Sequence, residues 1–276
     1  MNKKMKSNKN IVKFIFFSSL ALFVILIAVF APVLAPFQLN QTELQHALHP
    51  PSAEHLFGTD NLGKDIFSSV IYGARVSVFS TMILVLLVFL IGSTLGIVAG
   101  YFGGAIDSVI MRLADIMIAF PGMVLAIAVA GLLGPSITNA IIAITIVTWP
   151  KYARLARSLV LKIKNYDYVV AAQVIGGKNM HILLRYMFPN VLPVLIVTAS
   201  MDIGSMMLEL AALSFLGFGA RPPMAEWGLM LGSGRAYMSN APWLMLFPGM
   251  AILTVVVIFN LLGDSLRDIL DPKEEN

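Results

Sequence analysis

Five stretches of this sequence are too apolar and too long to belong to a soluble core. Phe14 to Thr42, Val76 to Ile106, Ile116 to Pro150 and Ala236 to Gly263 carry no charged residue, and Tyr186 to Ala220 carries only Asp202 and Glu209. About 20 apolar residues let an α-helix cross the hydrocarbon of a bilayer, provided the segment satisfies its own backbone hydrogen bonds. With 58% hydrophobic and 12% charged residues, the chain has far more apolar material than one soluble core uses. Its apolar periodicity is helical rather than alternating, which argues against a β-barrel. The expectation is an all-α integral membrane protein.

The first run follows Lys3, Lys4, Lys6, Lys9 and Lys13. It extends past the length of a signal core and no small-x-small cleavage site closes it, so it reads as an uncleaved span. The absence of cysteine excludes disulfides and thiolate metal sites.

A second basic cluster comprises Lys151, Arg154, Arg157, Lys162, Lys164, Lys178 and Arg185. Cytoplasmic segments carry the Lys/Arg excess, so both clusters belong inside and an even number of crossings separates them. As one helix, Ile116 to Pro150 would stretch to roughly 50 Å, well beyond the bilayer core, and it must fold back. The segment GLLGPSITN at 131–139 supplies the break through Gly131, Gly134 and Pro135. Two more spans, near 190–217 and 243–263, bring the total to six and return the tail DPKEEN to the cytoplasm. Only Lys64, Arg75, Arg221 and Arg235 of the 19 basic residues then fall outside.

The cytosolic insert opens on ARLARSLVLKI, whose Leu155, Leu159 and Ile163 form a stripe at i, i+4, i+8. Next come YDYVVAAQVI, Gly176 and Gly177, and a second helical stretch that Asn179 can cap and Pro189 ends. Helix, glycine turn and short helix make a rigid knob, with Ala171 and Ala172 small enough for another backbone to approach. The competing reading is a solvated basic loop held against anionic headgroups.

The run AAQVIG, nine further residues and YMFP resembles the pattern E-A-A-x3-G-x9-I-x-L-P of the membrane permeases of ATP-binding-cassette (ABC) importers. Val170, Tyr186 and Phe188 depart from it. The resemblance implies that Ala171, Ala172, Gly176, Gly177 and Pro189 belong to a coupling helix-turn-helix that docks into a cytosolic ATPase. It also implies a type I ABC importer permease fold with six transmembrane helices. On that basis residues 1–75 hold the N-terminal tail, first span and external loop, 76–265 the permease core with coupling loop 151–190, and 266–276 a cytoplasmic tail.

HLFGTDNLGKDIFSSVIYGAR, from His55 to Arg75, resembles H-x-x-G-T-D-x-x-G-R-D-x-x-S-R-x-x-x-G-A-R of the peptide and nickel permease branch, "C"-type subunit, with Lys64 and Ser69 replacing two arginines. SFLGFGARPPMAEWGLML and FNLLGDSLRDILDP are similar to the same branch. The resemblance implies that Gly58, Thr59, Asp60, Gly63 and Asp65 contribute to docking of an external solute-binding protein. The plain structural reading is a pair of glycine turns with Thr59 or Asp60 capping a re-entry helix. Trp227 and Trp243 suit the membrane interface.

MDIGSMMLELAALSFLG, Met201 to Gly217, leans toward nickel-import members, with dipeptide or oligopeptide import as the alternative. Asp202, Met206 and Glu209 share one face and could line a translocation path for a cationic chelate. Against this, Asp115 could simply pair with Arg112, and Asp202 and Glu209 with neighbouring helices. GSTLGIVAGYFGG at 92–104 reads as close helix packing. His46, His49 and His55 have no diagnostic metal spacing, and no metal site is assigned.

No GxxxxGK[ST] nucleotide loop or HExxH motif occurs, so this is a non-catalytic subunit that binds no cofactor itself; its partners hydrolyse ATP. The resemblance implies a second homologous permease, two ABC ATPases and a solute-binding protein, within the lipids of the cytoplasmic membrane and without nucleic acid. A self-sufficient secondary transporter would show paired broken repeats, which are not evident.

Overall fold

The structure, a computed structural model, describes residues 2–39 and 41–270. The tail DPKEEN lies outside the described residues, which form helices and loops with no strand. Helix α1 covers Asn2–Val29 and is followed by the single turn α2, Ala31–Leu34. The first apolar run is therefore not one helix to Thr42: Pro32 starts a new turn, and an external loop with a 3-10 turn at Leu44–His46 follows.

Helix α3, Ile66–Phe102, is 37 residues long, about 55 Å. It begins ten residues before the apolar run does, because Asp65 caps it by accepting a hydrogen bond from the Ser68 amide at 2.7 Å. Gly103 and Gly104, at φ of 67° and 56°, end it and turn the chain into α4, Gly104–Ile118. A sharp bend at Pro121 separates α4 from α5, Gly122–Leu133, at 94°. Pro121 lacks the N–H a continuing helix needs.

The hairpin expected at 131–139 is present. Gly134, at φ 84°, turns α5 into α6, Ile137–Ile163, and the Asn139 side chain ties the turn by donating to the carbonyls of Leu133 and Gly134. Gly131 remains an ordinary helical residue. The amphipathic segment ARLARSLVLKI is not a separate cytosolic helix but the second half of α6, continuous through Pro150.

Helix α7, Asp167–Val174, leads to the Gly176–Gly177 turn and to α8, Asn179–Ile182. Contrary to expectation, Pro189 does not end that helix. A π-helical turn at Leu183–Met187 widens the rod, and α9, Phe188–Phe215, continues with Pro189 in its first turn, where a missing N–H costs least. An external helix α10, Trp227–Gly234, precedes α11, Trp243–Leu270.

Among the described residues, four helical stretches are long and apolar enough to cross a membrane: Asn10–Val29, α3, Asn179–Phe215 and α11. The bent pair α4 and α5 makes a fifth when counted as one span. The remaining expected span, α6, has 27 residues but carries Lys151, Arg154, Arg157 and Lys162 in its second half. Its length suffices, while its composition does not read as a lipid-facing helix.

What makes α6 tolerable is its seam with α3. Gly92, Gly96 and Gly100 recur every four residues along one face of α3, and each meets α6 directly. A methyl at Gly92 would lie 2.6 Å from the Trp149 carbonyl, one at Gly96 would overlap the Ala153 carbonyl, and one at Gly100 would lie 2.9 Å from Val160 Cβ. The glycine-rich segment is thus close helix packing, as its spacing implies. Leu84, Val88, Ile144, Tyr152, Ala156, Leu195, Leu210 and Leu213 complete a core shared by α3, α6 and α9. A second core joins Ala21 and Val24 of α1 to Ile252, Val255 and Phe259 of α11.

One tryptophan departs from the sequence expectation. Trp227 is buried rather than interfacial, its indole donating to the Val70 carbonyl at 2.9 Å and lying against Gly73. Beside it Glu226, fully buried, caps α10 by accepting from the amides of Gly228 and Leu229, and takes a further hydrogen bond from the Ser77 hydroxyl of α3. Burial pushes its carboxyl above the usual carboxylate range, against the opposing pull of those hydrogen bonds.

Replacing Gly96 by valine forces two backbones apart and costs at least about 1–3 kcal/mol. Expected is a clear drop in the melting temperature of the detergent-purified protein. The raised Glu226 pKa implies that its protonation supports the fold fully below the unfolded value of about 4.3. That contribution is lost as pH rises through the higher folded value. Glu226→Gln should therefore flatten the fall of melting temperature between those two values, whereas Glu226→Ala should lower stability throughout.

Candidate coupling hairpin and intramembrane charge site

The coupling hairpin is built as the alternating apolar residues of 169–187 dictate. Val169, Ile182, Leu183 and Met187 are buried against the core, while Val174 and Ile175 project from the tip, 81% and 85% exposed. Val170, Met180 and Leu184 extend this bare apolar surface. A solvated basic loop would not present such a patch, and exposed apolar patches of this kind mark interaction sites.

Gly176 and Gly177 have different jobs. Gly176 sits at φ 82° with open space around it, so the left-handed backbone, not crowding, demands glycine there. At Gly177 a methyl would lie 2.7 Å from the Ala172 carbonyl, so here the constraint is contact. Ala171 is exposed and Ala172 half-buried, which leaves room beside α7. Asn179 does not cap α8. Its side chain instead accepts a hydrogen bond from the Tyr101 hydroxyl at 3.0 Å, and Lys164 Nζ donates to the Tyr101 carbonyl at 2.6 Å. The buried Tyr101 thereby clips both arms of the hairpin to the end of α3, a role invisible in the sequence because its partners lie 63 and 78 residues away.

The five external loop residues turn out to be mostly scaffold. Gly58 and Gly63 take φ of 75° and 74°, as expected for turns. Thr59 and Asp60 cap no helix. Thr59 bonds the His46 carbonyl and the His49 amide, and Asp60 accepts from the amides of Leu62 and Lys64. Gly58, Thr59, Gly63 and Asp65 are buried, so the surface a partner could touch is Asn61, Leu62 and the edge of Asp60. His46, His49 and His55 do converge, with ring centroids 5.3 and 5.8 Å apart. No group of three or more potential ligands positioned to hold a metal ion occurs among the described residues. His55 Nδ1 instead lies 3.1 Å from the capping Asp65 carboxylate.

Deep in the helical body lies a charge cluster that the sequence shows only in pieces. Asp202 sits halfway along α9 and receives Lys151 Nζ at 2.7 and 2.6 Å and the Tyr152 hydroxyl at 2.9 Å. Lys151 therefore does not belong to the cytosolic loop: it pairs within the span, at the midpoint of α6. Glu209 stands two turns further along α9 on the same side, half-buried. Met206, expected on the same face, is 2% exposed and packed in the core with Leu210 and Leu213. Asp115 pairs with Arg154 at 2.5 Å rather than with Arg112, and Asp107 takes a bidentate contact from Arg157 at 2.6 Å, so α4 answers two of the four basic residues of α6.

An all-helical body with an apolar coupling knob at one end and paired charges at mid-depth defines a membrane transport component. Residues 92–276 match the family described as binding-protein-dependent transport system inner membrane component, and the chain belongs to it. It is a membrane permease subunit of an ABC importer, a transport component rather than an enzyme.

The relatives narrow this. The chain is 47% identical to a dipeptide transport system permease of Alkalihalophilus pseudofirmus over 98% of its own length and 88% of the relative's. It is 47% identical to a probable D,D-dipeptide transport system permease of Escherichia coli K12, covering 90% and 84%. A glutathione transport system permease of Pectobacterium atrosepticum is 43% identical, covering 91% and 84%. These relatives do not support the leaning to nickel drawn from Met201 to Gly217. Among solved structures, a chain of the inward-facing MetNI methionine ABC transporter shares the fold, with a TM-score of 0.61, 17% identity, and coverage of 75% of this chain and 98% of that one.

Removing the Tyr101 hydroxyl costs one hydrogen bond, about 1 kcal/mol, or roughly a fivefold change in the clipped population. Tyr101→Phe should leave folding intact while raising the ATP hydrolysed per substrate moved in the reconstituted transporter.

Proposed function

We propose that this chain is one of two permease subunits of an ATP-driven importer for dipeptides and related short peptides. The observation that carries the reading is the 47% identity, spread over nearly the whole chain, to a dipeptide permease. Both termini face the cytoplasm, as the basic clusters require. The bare tip around Val174 and Ile175 enters a groove on a cytosolic ATPase, with Ala171 and Ala172 admitting its backbone and Gly176, Gly177 and Pro189 fixing the shape of the knob. A related permease completes the pore, two ATPases drive it, and a solute-binding protein lands on the exposed part of the loop that Gly58, Thr59, Asp60, Gly63 and Asp65 shape. ATP is used by the partners; this chain holds no cofactor. Closure of the ATPases moves the knob, and the Tyr101 clip passes that motion to α3 and, through the glycine seam, to α6.

Deleting the gene should abolish uptake of a radiolabelled dipeptide and leave cellular nickel unchanged under nickel scarcity. The reverse pattern would return the protein to metal import. Placing an aspartate at Val174 or Ile175 should stop the ATPases co-purifying without lowering this chain's melting temperature, since neither side chain is packed.

A further inference from the structure

Glu209 is a charged group in the helical body that the pairing just described leaves over. It lies within α9 and makes no side-chain hydrogen bond among the described residues. Asp202 lies two turns away on the same side of its helix, and holds Lys151 of α6 there. Beside it on α9, Ser205 and Leu208 are exposed and line an open hollow with Val256, Asn260 and Asp264 of α11. An ionised carboxylate pointing at lipid costs at least several kcal/mol, so the face belongs against water or polar groups, as in a transport path.

Lys151 completes the arrangement. Its ammonium has three donors, Asp202 engages it through both carboxylate oxygens, and its side chain stays 54% exposed although its partner is 12% exposed. One pole of the cluster is thus an accessible ammonium and the other an accessible carboxylate. Seven residues of helix separate Asp202 from Glu209, about 10 Å. An extended two-residue peptide spans about 7 Å, and a charge-assisted hydrogen bond of about 2.8 Å at each end brings the reach to roughly 12–13 Å.

We propose that Lys151 and Glu209 form a transient binding site for a zwitterion, the ammonium of Lys151 taking the carboxylate end and Glu209 the ammonium end of a short peptide with free termini. Asp202 is the positioning residue: it holds the lysine between the helices, and the Tyr152 hydroxyl holds Asp202. Because the peptide carboxylate competes with Asp202 for the same ammonium, binding is weak enough to release, which conduction through a pathway requires. The proposal rests on the peptide reading for its ligand but not for its two poles.

The chain has no cysteine, so Ser205→Cys, one turn from Glu209, gives a single reporter thiol in this subunit. In the complete transporter, its labelling by a cationic and an anionic methanethiosulfonate is followed on the separated chain, with and without a dipeptide. With both termini free, the dipeptide should slow labelling several-fold, and N-acetylation or C-amidation should each remove the effect. Glu209→Gln should lower the cationic-to-anionic rate ratio several-fold and erase the difference between free and N-acetylated peptide. The neutral double variant Lys151→Met with Asp202→Asn, which leaves no unpaired buried charge, should erase the difference between free and amidated peptide. A rate ratio that ignores Glu209→Gln, a double variant that still distinguishes free from amidated peptide, or protection that is absent or indifferent to capping, would overturn the site. Dipeptide uptake that persists alongside such a result would leave the import reading standing. Intact poles in a transporter that moves no dipeptide would instead overturn the import reading and the peptide as ligand.

Discussion

Three glycines at one-turn intervals let α3 and α6 meet backbone to backbone, and the placement of every functional group depends on that contact. A side chain at any of the three would collide with α6 and force the helices apart. Tyr152 would leave the core, and Lys151 would lose its reach to Asp202. Small residues are favoured for such seams inside membranes because packing, not water exclusion, holds the helices together. The seam also explains how a helix with four basic residues in one half can run through the body: one side lies against α3, and Asp107, Asp115 and Asp202 answer three of its charges.

The same contact connects the ends of the molecule. The coupling knob is clipped by Tyr101, which occupies the turn of α3 that follows Gly100 in the seam. The clip therefore joins the knob to a pair of helices that cannot slide without repacking. Beyond the knob, the π-helical turn at Leu183–Met187 and prolines at 189 and 193 join the coupling region to α9, the helix that carries Asp202 and Glu209. π-turns are costly and cluster at functional positions. The knob thus has rigid connections to both walls of the charge site.

The sequence reading went furthest where local rules dominate. The glycine turns at 58, 63, 134 and 176, the hairpin between α5 and α6, and the packing role of residues 92–104 follow from backbone chemistry and spacing, and each is present. It went astray where a longer-range partner decides. Asn179 has the chemistry of a cap but finds Tyr101; Thr59 likewise finds the histidine loop, and Trp227 a pocket against Gly73. The carboxylates of the candidate path were visible because charges in an apolar run are conspicuous. Lys151 was hidden, because it begins a basic run and looks cytosolic until its depth along α6 is known.

By itself the amino-acid sequence determined that the chain is helical and membrane-embedded, where it turns, and which family's motifs it carries, because hydropathy, glycine and proline act over a few residues. Only the tertiary structure decided which groups those elements bring together: Lys151 and Tyr152 with Asp202, Tyr101 with the coupling hairpin, Glu226 with Ser77. Such pairings span from 50 to 149 residues of chain. They depend on how closely and at what depth helices pack, a quantity set by the whole body and carried by no single segment.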